Sequence, residues 1–246
     1  MRLLRSIIFA IWLYASMAVV GLTLWPFVLM DERHVWTALR AWGGATVWGL
    51  RWIVGARVSF EGLEHVPEGG ALIAMKHQSM LDTVAPALFL SRPVYVYKAE
   101  LGDTPVMGAY LKKNQIAVDR GGYAKALKSI VRGARVAVAK GGQVLIFPEG
   151  TRQELEAPPD YKPGIAAMYK DLGIPVTPVA CNTGLVWKPK GIMRSPGHVT
   201  FRVLPPIPPG LPREEFMREL EERIESESQA MLPPEKRRKA APAEAA

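Results

Sequence analysis

The sequence predicts an α/β fold: a mixed, largely parallel sheet flanked by helices, preceded by an N-terminal two-helix membrane-associating hairpin. Three observations predict it. The run from Ser6 to Met30 is almost uninterrupted apolar sequence, about the length that crosses a bilayer core. Short strand-like apolar runs recur from Arg57 to Val203. Helical patterns lie between several of them, the alternation that produces a sheet covered on both faces. The same changes in composition divide the chain into four parts. They are a hydrophobic and interfacial membrane segment (1–56), an α/β domain (57–210), an amphipathic C-terminal helix (211–232) and a disordered basic, Ala/Pro-rich tail (233–246).

In the first part, Arg2 and Arg5 precede the apolar run as in a signal peptide. The run is too long for a signal-peptide core and no small-residue cleavage site follows it cleanly, so it reads as a retained membrane segment. Trp12, Tyr14 and Trp25 suit placement at a membrane interface. The next stretch, Arg33 to Val54, carries Trp36, Trp42, Trp48 and Trp52, with Arg40 and Arg51 about three helical turns apart on one face. Tryptophans beside an arginine stripe predict a helix lying in the headgroups. Whether the first helix spans the bilayer or dips into one leaflet stays open. In either case, a second helix that turns back returns the chain to the side of Arg2 and Arg5, which the positive-inside tendency makes cytoplasmic.

The globular part opens on Arg57–Gly62, which alternates like an edge strand. Further strands are expected at Leu72–Met75, Val94–Tyr97, Ile116–Val118, Val144–Phe147, Val176–Ala180 and Val199–Val203. Helices are expected over Val84–Leu90, with Pro86 in the first turns, and over Ala124–Ala139. The stiff run Pro205–Gly210 leads to an amphipathic helix from Arg213 to Met231, with Phe216, Leu220 and Ile224 at helical spacing.

Charge narrows the partner classes. A net charge of +8 and a pI near 9.6 predict an anionic partner. Aromatic and basic residues do not interleave as RNA-binding surfaces require, so a nucleic-acid partner is not expected. One cysteine supports neither a zinc-finger spacing nor an internal disulfide, which suits a reducing compartment. Cys181 itself lies in an apolar strand-like run and reads as core.

Chemistry concentrates where strands run out. His77 follows the strand that ends at Met75, and Asp82 lies in the first turn of the next element. On one straight helix a spacing of five would put the two side chains about 140° apart, so they meet only if the chain turns a corner between them. The pair reads either as a capped, hydrogen-bonded histidine or as a general base whose tautomer the carboxylate fixes. Ser79 reads as a turn or cap residue. The block Phe147-Pro148-Glu149-Gly150-Thr151-Arg152 makes a tight turn outside a strand's C-terminal end, where open α/β sheets bind ligands. Glu149, Thr151 and Arg152 are expected to project into that crevice, with Arg152 shaped for a phosphate; a surface salt bridge between Glu149 and Arg152 is the plainer reading. Arg120, after the strand Ile116–Val118, reads as a second phosphate ligand or as an ion pair with Asp119. Lys98 ends a third strand. One rim would then carry His77, Lys98, Arg120 and Arg152.

His77 and Asp82 with four residues between them, Val118-Asp119-Arg120, Phe147–Arg152 and Ile174-Pro175-Val176-Thr177-Pro178-Val179 together resemble the glycerolipid acyltransferase family, most closely its bacterial 1-acylglycerol-3-phosphate acyltransferases. The resemblance covers roughly Arg57 to Leu204, and the two-helix start is similar to that family's. Asn114 and Ala117 stand where the family often has glycine and phenylalanine. The resemblance implies acyl transfer from acyl-carrier protein or acyl-coenzyme A to a lysophospholipid hydroxyl at the cytoplasmic face of a bacterial inner membrane. No metal or other cofactor is then expected. By the same resemblance His77 is the base, Asp82 its orienting acid, and Lys98, Arg120, Glu149, Gly150, Thr151 and Arg152 bind the acceptor. Rival readings are acylation of glycerol-3-phosphate or of another lyso-lipid such as lyso-ornithine lipid, hydrolysis, and lipid binding without catalysis. The absence of Gly-x-Ser-x-Gly counts against the hydrolase.

Overall fold

The computed structural model describes residues 1–104, 107–118 and 122–238, with only the backbone of Lys98 and of residues 123–125. Helix α1 (Arg2–Met30) and helix α2 (Arg33–Gly49) form an antiparallel hairpin, and a wider turn (Leu50–Val54) extends α2. Trp12 donates from its indole nitrogen to Ala45 O at 2.7 Å, and Trp42 donates to Leu13 O at 3.2 Å. Gly49 permits this approach: a Cβ there would lie 2.4 Å from the Trp12 ring.

Two of the four tryptophans expected to line the headgroup face of α2 turn inward. Trp42 turns onto α1, Trp36 donates to Pro93 O at 3.3 Å, and Arg40 donates to Ser91 O at 3.0 Å. Only Trp48 and Trp52 of the four remain exposed. A longer exposed apolar face lies on α1, where Ile7, Ile11, Val19, Leu22 and Phe27 point outward. Burying aromatic area between α2 and the sheet outweighs leaving it at an interface.

Among the described residues seven strands form one sheet in the order β1-β7-β6-β2-β5-β3-β4. In chain order these are β1 (Ala56–Glu61), β2 (Ala71–Met75), β3 (Pro93–Lys98), β4 (Ile116–Val118), β5 (Gln143–Ile146), β6 (Val176–Cys181) and β7 (Gly197–Val203). Pairing is parallel except between β6 and β7. The connecting helices are α3 (Leu81–Val84), α4 (Met107–Asn114), α5 (Tyr123–Ala139), α6 (Gly164–Leu172) and α7 (Arg213–Ala230). The helix expected over Val84–Leu90 is a single α turn followed by a tighter 3₁₀ turn, Ala85–Leu88, where Pro86 has no N–H to continue the α pattern.

Strand alternation decides which helices cover which face. Leu72, Ala74 and Val144 point to one side, packing on Met168 of α6 and on Phe216, Leu220 and Ile224 of α7. Ile73, Met75 and Leu145 point to the other, packing on Phe9 and Leu13 of α1 and on Leu81. Each of these buried Val, Leu, Ile, Met and Phe side chains contributes about 1.5–3 kcal/mol of transfer free energy. The hairpin is thus one of the two layers that close the sheet.

The tail also needs correcting. Residues 233–238 pack back on α7: Arg238 N–H donates to Gln229 Oε1 at 2.8 Å and its guanidinium pairs with Glu225. Residues 239–246 lie outside the described part.

Candidate active site

β2 keeps its ladder one residue beyond its end, with Lys76 N–H donating to Val179 O at 3.0 Å. The side-chain alternation therefore continues past the strand. His77 falls on the hairpin side of the sheet and Lys76 on the α7 side. From His77 the chain turns sharply into α3, and Asp82 closes the turn.

Asp82 is fully buried. Its Oδ2 lies 3.2 Å from His77 Nδ1 and accepts the backbone N–H groups of Gln78 at 2.5 Å and Ser79 at 2.7 Å. Its Oδ1 accepts from Thr183 Oγ1 at 2.6 Å and from Ser79 Oγ at 3.2 Å. Ser79 Oγ also accepts Leu81 N–H, so this hydroxyl is committed to the turn. A carboxylate this thoroughly hydrogen-bonded cannot swing away. It presents one fixed oxygen to the imidazole, holds Nδ1 toward itself and leaves Nε2 for other chemistry.

The segment after β5 wraps around His77 on three sides. The Phe147 ring stacks on the imidazole, with centroids 3.9 Å apart and planes 16° from parallel. Glu149 Oε2 accepts His77 N–H at 3.0 Å, and Gln153 N–H donates to His77 O at 2.8 Å. Gly150 has φ +68°, a left-handed conformation that bulkier residues resist, and it lets the chain reverse within this wrap. Thr151 and Arg152 emerge exposed beside it. Arg152 makes no ion pair among the described residues.

Glu149 corrects the sequence expectation. It neither reaches into the crevice nor pairs with Arg152: it is buried beneath His77, with its Oε1 2.5 Å from Lys76 Nζ. The same ammonium lies 2.6 Å from Glu225 Oε1 on α7. Glu225 also accepts from Tyr161 Oη at 3.1 Å and pairs with Arg238. Burial pushes the Glu149 carboxyl above its usual range, against the opposing pull of Lys76.

The parallel strands β2, β5, β3 and β4 end along one edge, which brings the end of β3 at Lys98 onto the edge that carries His77. The Lys98 side chain and Arg120 lie outside the described residues, so the rim is visible at His77 and Arg152. Sequence reasoning missed Lys76, Phe147, Thr183, Glu225 and Arg238. Strand alternation could have assigned Lys76 to the face opposite His77; nothing local announces its partner in α7. Cys181 is buried beside this network, 3.8 Å from Asp82 Oδ1, and burial together with that carboxylate raises its thiol well above the usual range. A nucleophilic thiolate is not favoured there. Among the described residues no three His, Cys, Asp or Glu side chains are grouped to hold a metal ion.

Residues 57–182 match the family model described as Acyltransferase. The chain is 32% identical over 206 residues to a 1-acyl-sn-glycerol-3-phosphate acyltransferase of Pseudomonas aeruginosa, covering 82% of this chain and 80% of that protein. It is 27% identical over 186 residues to the enzyme of the same name from Cocos nucifera, covering 74% of this chain and 58% of that protein. In fold it is similar to the crystal structure of the 1-acyl-sn-glycerophosphate acyltransferase PlsC from Thermotoga maritima. The TM-score is 0.79 at 22% identity, covering 94% of this chain and 98% of that one.

Proposed function

Since this chain belongs to the acyltransferase family, we propose that it moves a fatty acyl group from a thioester to the sn-2 hydroxyl of 1-acyl-sn-glycerol-3-phosphate, giving phosphatidic acid. The donor is acyl-carrier protein or acyl-coenzyme A. The single observation that carries the reading is the His77 Nδ1–Asp82 Oδ2 contact of 3.2 Å, on a rim that also exposes Arg152.

A glycerol hydroxyl is a weak nucleophile near neutral pH. His77 Nε2 takes its proton as the oxygen attacks the thioester carbonyl. The tetrahedral intermediate collapses with C–S cleavage, and the thiolate leaves, taking the proton back from His77. Asp82 holds Nδ1–H throughout, and the Phe147 ring keeps the imidazole plane fixed. Arg152, with Lys98 and Arg120, grips the acceptor phosphate, while Gly150 and Thr151 shape the turn against which it rests. Glu149 acts from below by fixing the backbone of His77. Holding both reactants in line can supply up to about 7–11 kcal/mol, more than the ~3–5 kcal/mol that a general base contributes.

Both acceptor and product are membrane lipids, and the hairpin supplies the surface on which they are handled. α1 is held to the globular part near both ends, through Ser6 to Arg194 and through Lys113 to Leu29 O. This favours α1 lying along one leaflet over crossing the bilayer. Arg2 and Arg5 at its start suit the anionic headgroups of a cytoplasmic leaflet, and we place the protein on the cytoplasmic face of a bacterial inner membrane.

The test is labelled lysophosphatidic acid supplied to membranes containing the protein, with each thioester in turn. Labelled phosphatidic acid from one donor but not the other names that donor. Turnover of lyso-ornithine lipid or glycerol-3-phosphate in place of lysophosphatidic acid would move the acceptor assignment, and release of free fatty acid without transfer would replace it with hydrolysis.

A further inference from the structure

Thr183, whose hydroxyl holds Asp82, and Gly184, whose N–H donates to Gln78 Oε1 at 3.1 Å, open the segment that leads to β7. That segment folds into a small hairpin closed by the Trp187–Arg194 bridge. Its tip turns at Gly191, with φ +83°, and then presents Ile192 and Met193 to solvent, 46% and 44% exposed. Lys188 and Lys190 stand exposed beside them. Two large apolar side chains at the end of a loop contribute nothing to the core, so folding alone does not account for them.

The base of this hairpin is rigid. The Arg194 guanidinium lies 4.1 Å from the Trp187 ring centroid and donates to Gly191 O and Met193 O, each at 3.0 Å. Arg194 N–H donates to Ser6 Oγ at 2.8 Å, and Trp187 meets Phe9 edge-on at 5.4 Å. The tip is therefore fastened to the first turns of α1, which also carry the exposed Leu3, Leu4, Ile7 and Ile8. The hairpin thus joins α1 through Ser6 and Phe9, and its tip carries exposed apolar residues and lysines of its own.

We propose that residues 188–193 form a second membrane contact, in which Ile192 and Met193 enter the boundary between headgroups and acyl chains while Lys188 and Lys190 rest on anionic headgroups. The proposal rests on the reading of α1 as membrane-associated. Attachment to the first turns of α1, whose other faces expose apolar residues, together with the lysines at the tip, selects an acidic lipid bilayer as the occupant. A contact there also holds the Thr183–Gly184 segment, and with it the mouth of the site, against the surface that delivers the acceptor.

The experiment places one reporter at the tip. Cys181 is the chain's single cysteine and is buried, so an environment-sensitive fluorophore on the full-length Ile192→Cys protein labels position 192. An Ile11→Cys protein places the same label on the outer face of α1, where the native side chain is 64% exposed. Both are mixed with vesicles of phosphatidylglycerol and phosphatidylcholine that carry brominated acyl chains. Quenching at both positions is expected. Quenching at 11 but not at 192 overturns the tip contact while leaving α1 on the membrane. Quenching at neither overturns the membrane reading and the proposal with it. A Lys188→Glu, Lys190→Glu protein should bind these vesicles at least about tenfold more weakly, each lysine contributing about fivefold near an anionic surface, with turnover in neutral detergent micelles unchanged. Undiminished vesicle binding would overturn the electrostatic part.

Discussion

Lys76 Nζ lies 2.6 Å from Glu225 Oε1, joining two residues 149 positions apart in the chain. The same ammonium binds Glu149, and Glu149 holds the N–H of His77. The C-terminal helix thus reaches the backbone of His77 through three contacts. Two cations, Lys76 and Arg238, balance two carboxylates, Glu149 and Glu225, in a region largely closed to water.

Lys76→Met leaves both carboxylates without their shared ammonium. Breaking a buried ion pair from one side costs about 3–5 kcal/mol, because the remaining charge is buried alone. Thermal or urea unfolding in detergent should show a loss of that order. A loss below about 1 kcal/mol would mean that water already reaches the network.

Glu149→Gln isolates the titration of one member. Burial raises its carboxyl above the reference value of 4.5, so the folded chain keeps this proton to a higher pH than the unfolded chain does. The stability due to Glu149 is then fully present below the ordinary glutamate range and falls as pH rises through the folded value. The stability of the natural protein minus that of the variant should decline as pH rises above the ordinary glutamate range. A rising difference would mean that Lys76 favours the carboxylate by more than burial opposes it.

His77→Ala should reduce turnover at least about 10²-fold. Vesicle binding should persist, since the ring packs on Phe147 and not on the hairpin's outer face. Near-normal acyl transfer by this protein would remove the base from the mechanism.

Asp82→Asn tests two roles together. An amide in place of one oxygen turns a donor toward the N–H groups of Gln78 and Ser79 or toward the Thr183 hydroxyl. The cost to stability is about 1–3 kcal/mol, and turnover should fall about 10²-fold or more as His77 loses its fixed tautomer. A stable variant with full activity would leave Asp82 as neither the lock on the turn nor the orienting acid.

Arg152→Ala should raise the KM for the phosphorylated acceptor by about tenfold or more, with a smaller change in kcat. Arg152→Lys should restore only part of it, because an ammonium lacks the two-pronged geometry of the guanidinium. An unchanged KM for the acceptor would move the phosphate elsewhere on the rim.

By itself the sequence determined what local physics controls. Short apolar runs bounded by turn residues fix where strands form, and every strand anticipated between Arg57 and Val203 has its counterpart in the sheet. The glycine and proline in the Phe147–Arg152 block announce a reversal at a strand end, and the spacing of His77 and Asp82 demands a corner that the chain supplies. Only the tertiary structure decided the inward role of Glu149, the exposure of Arg152 and the burial of Lys76. Neighbouring residues in an extended chain point to opposite faces, and what waits on each face comes from distant sequence: Glu225 and Arg238 under one side, the hairpin over the other. The tryptophans of α2 teach the same lesson. Their pattern reads as interfacial in isolation, and it is the sheet arriving from residues 56–203 that draws Trp36 inward and leaves α1 to face outward. A side chain's partners are set by which surfaces meet, and no local window of sequence contains both surfaces.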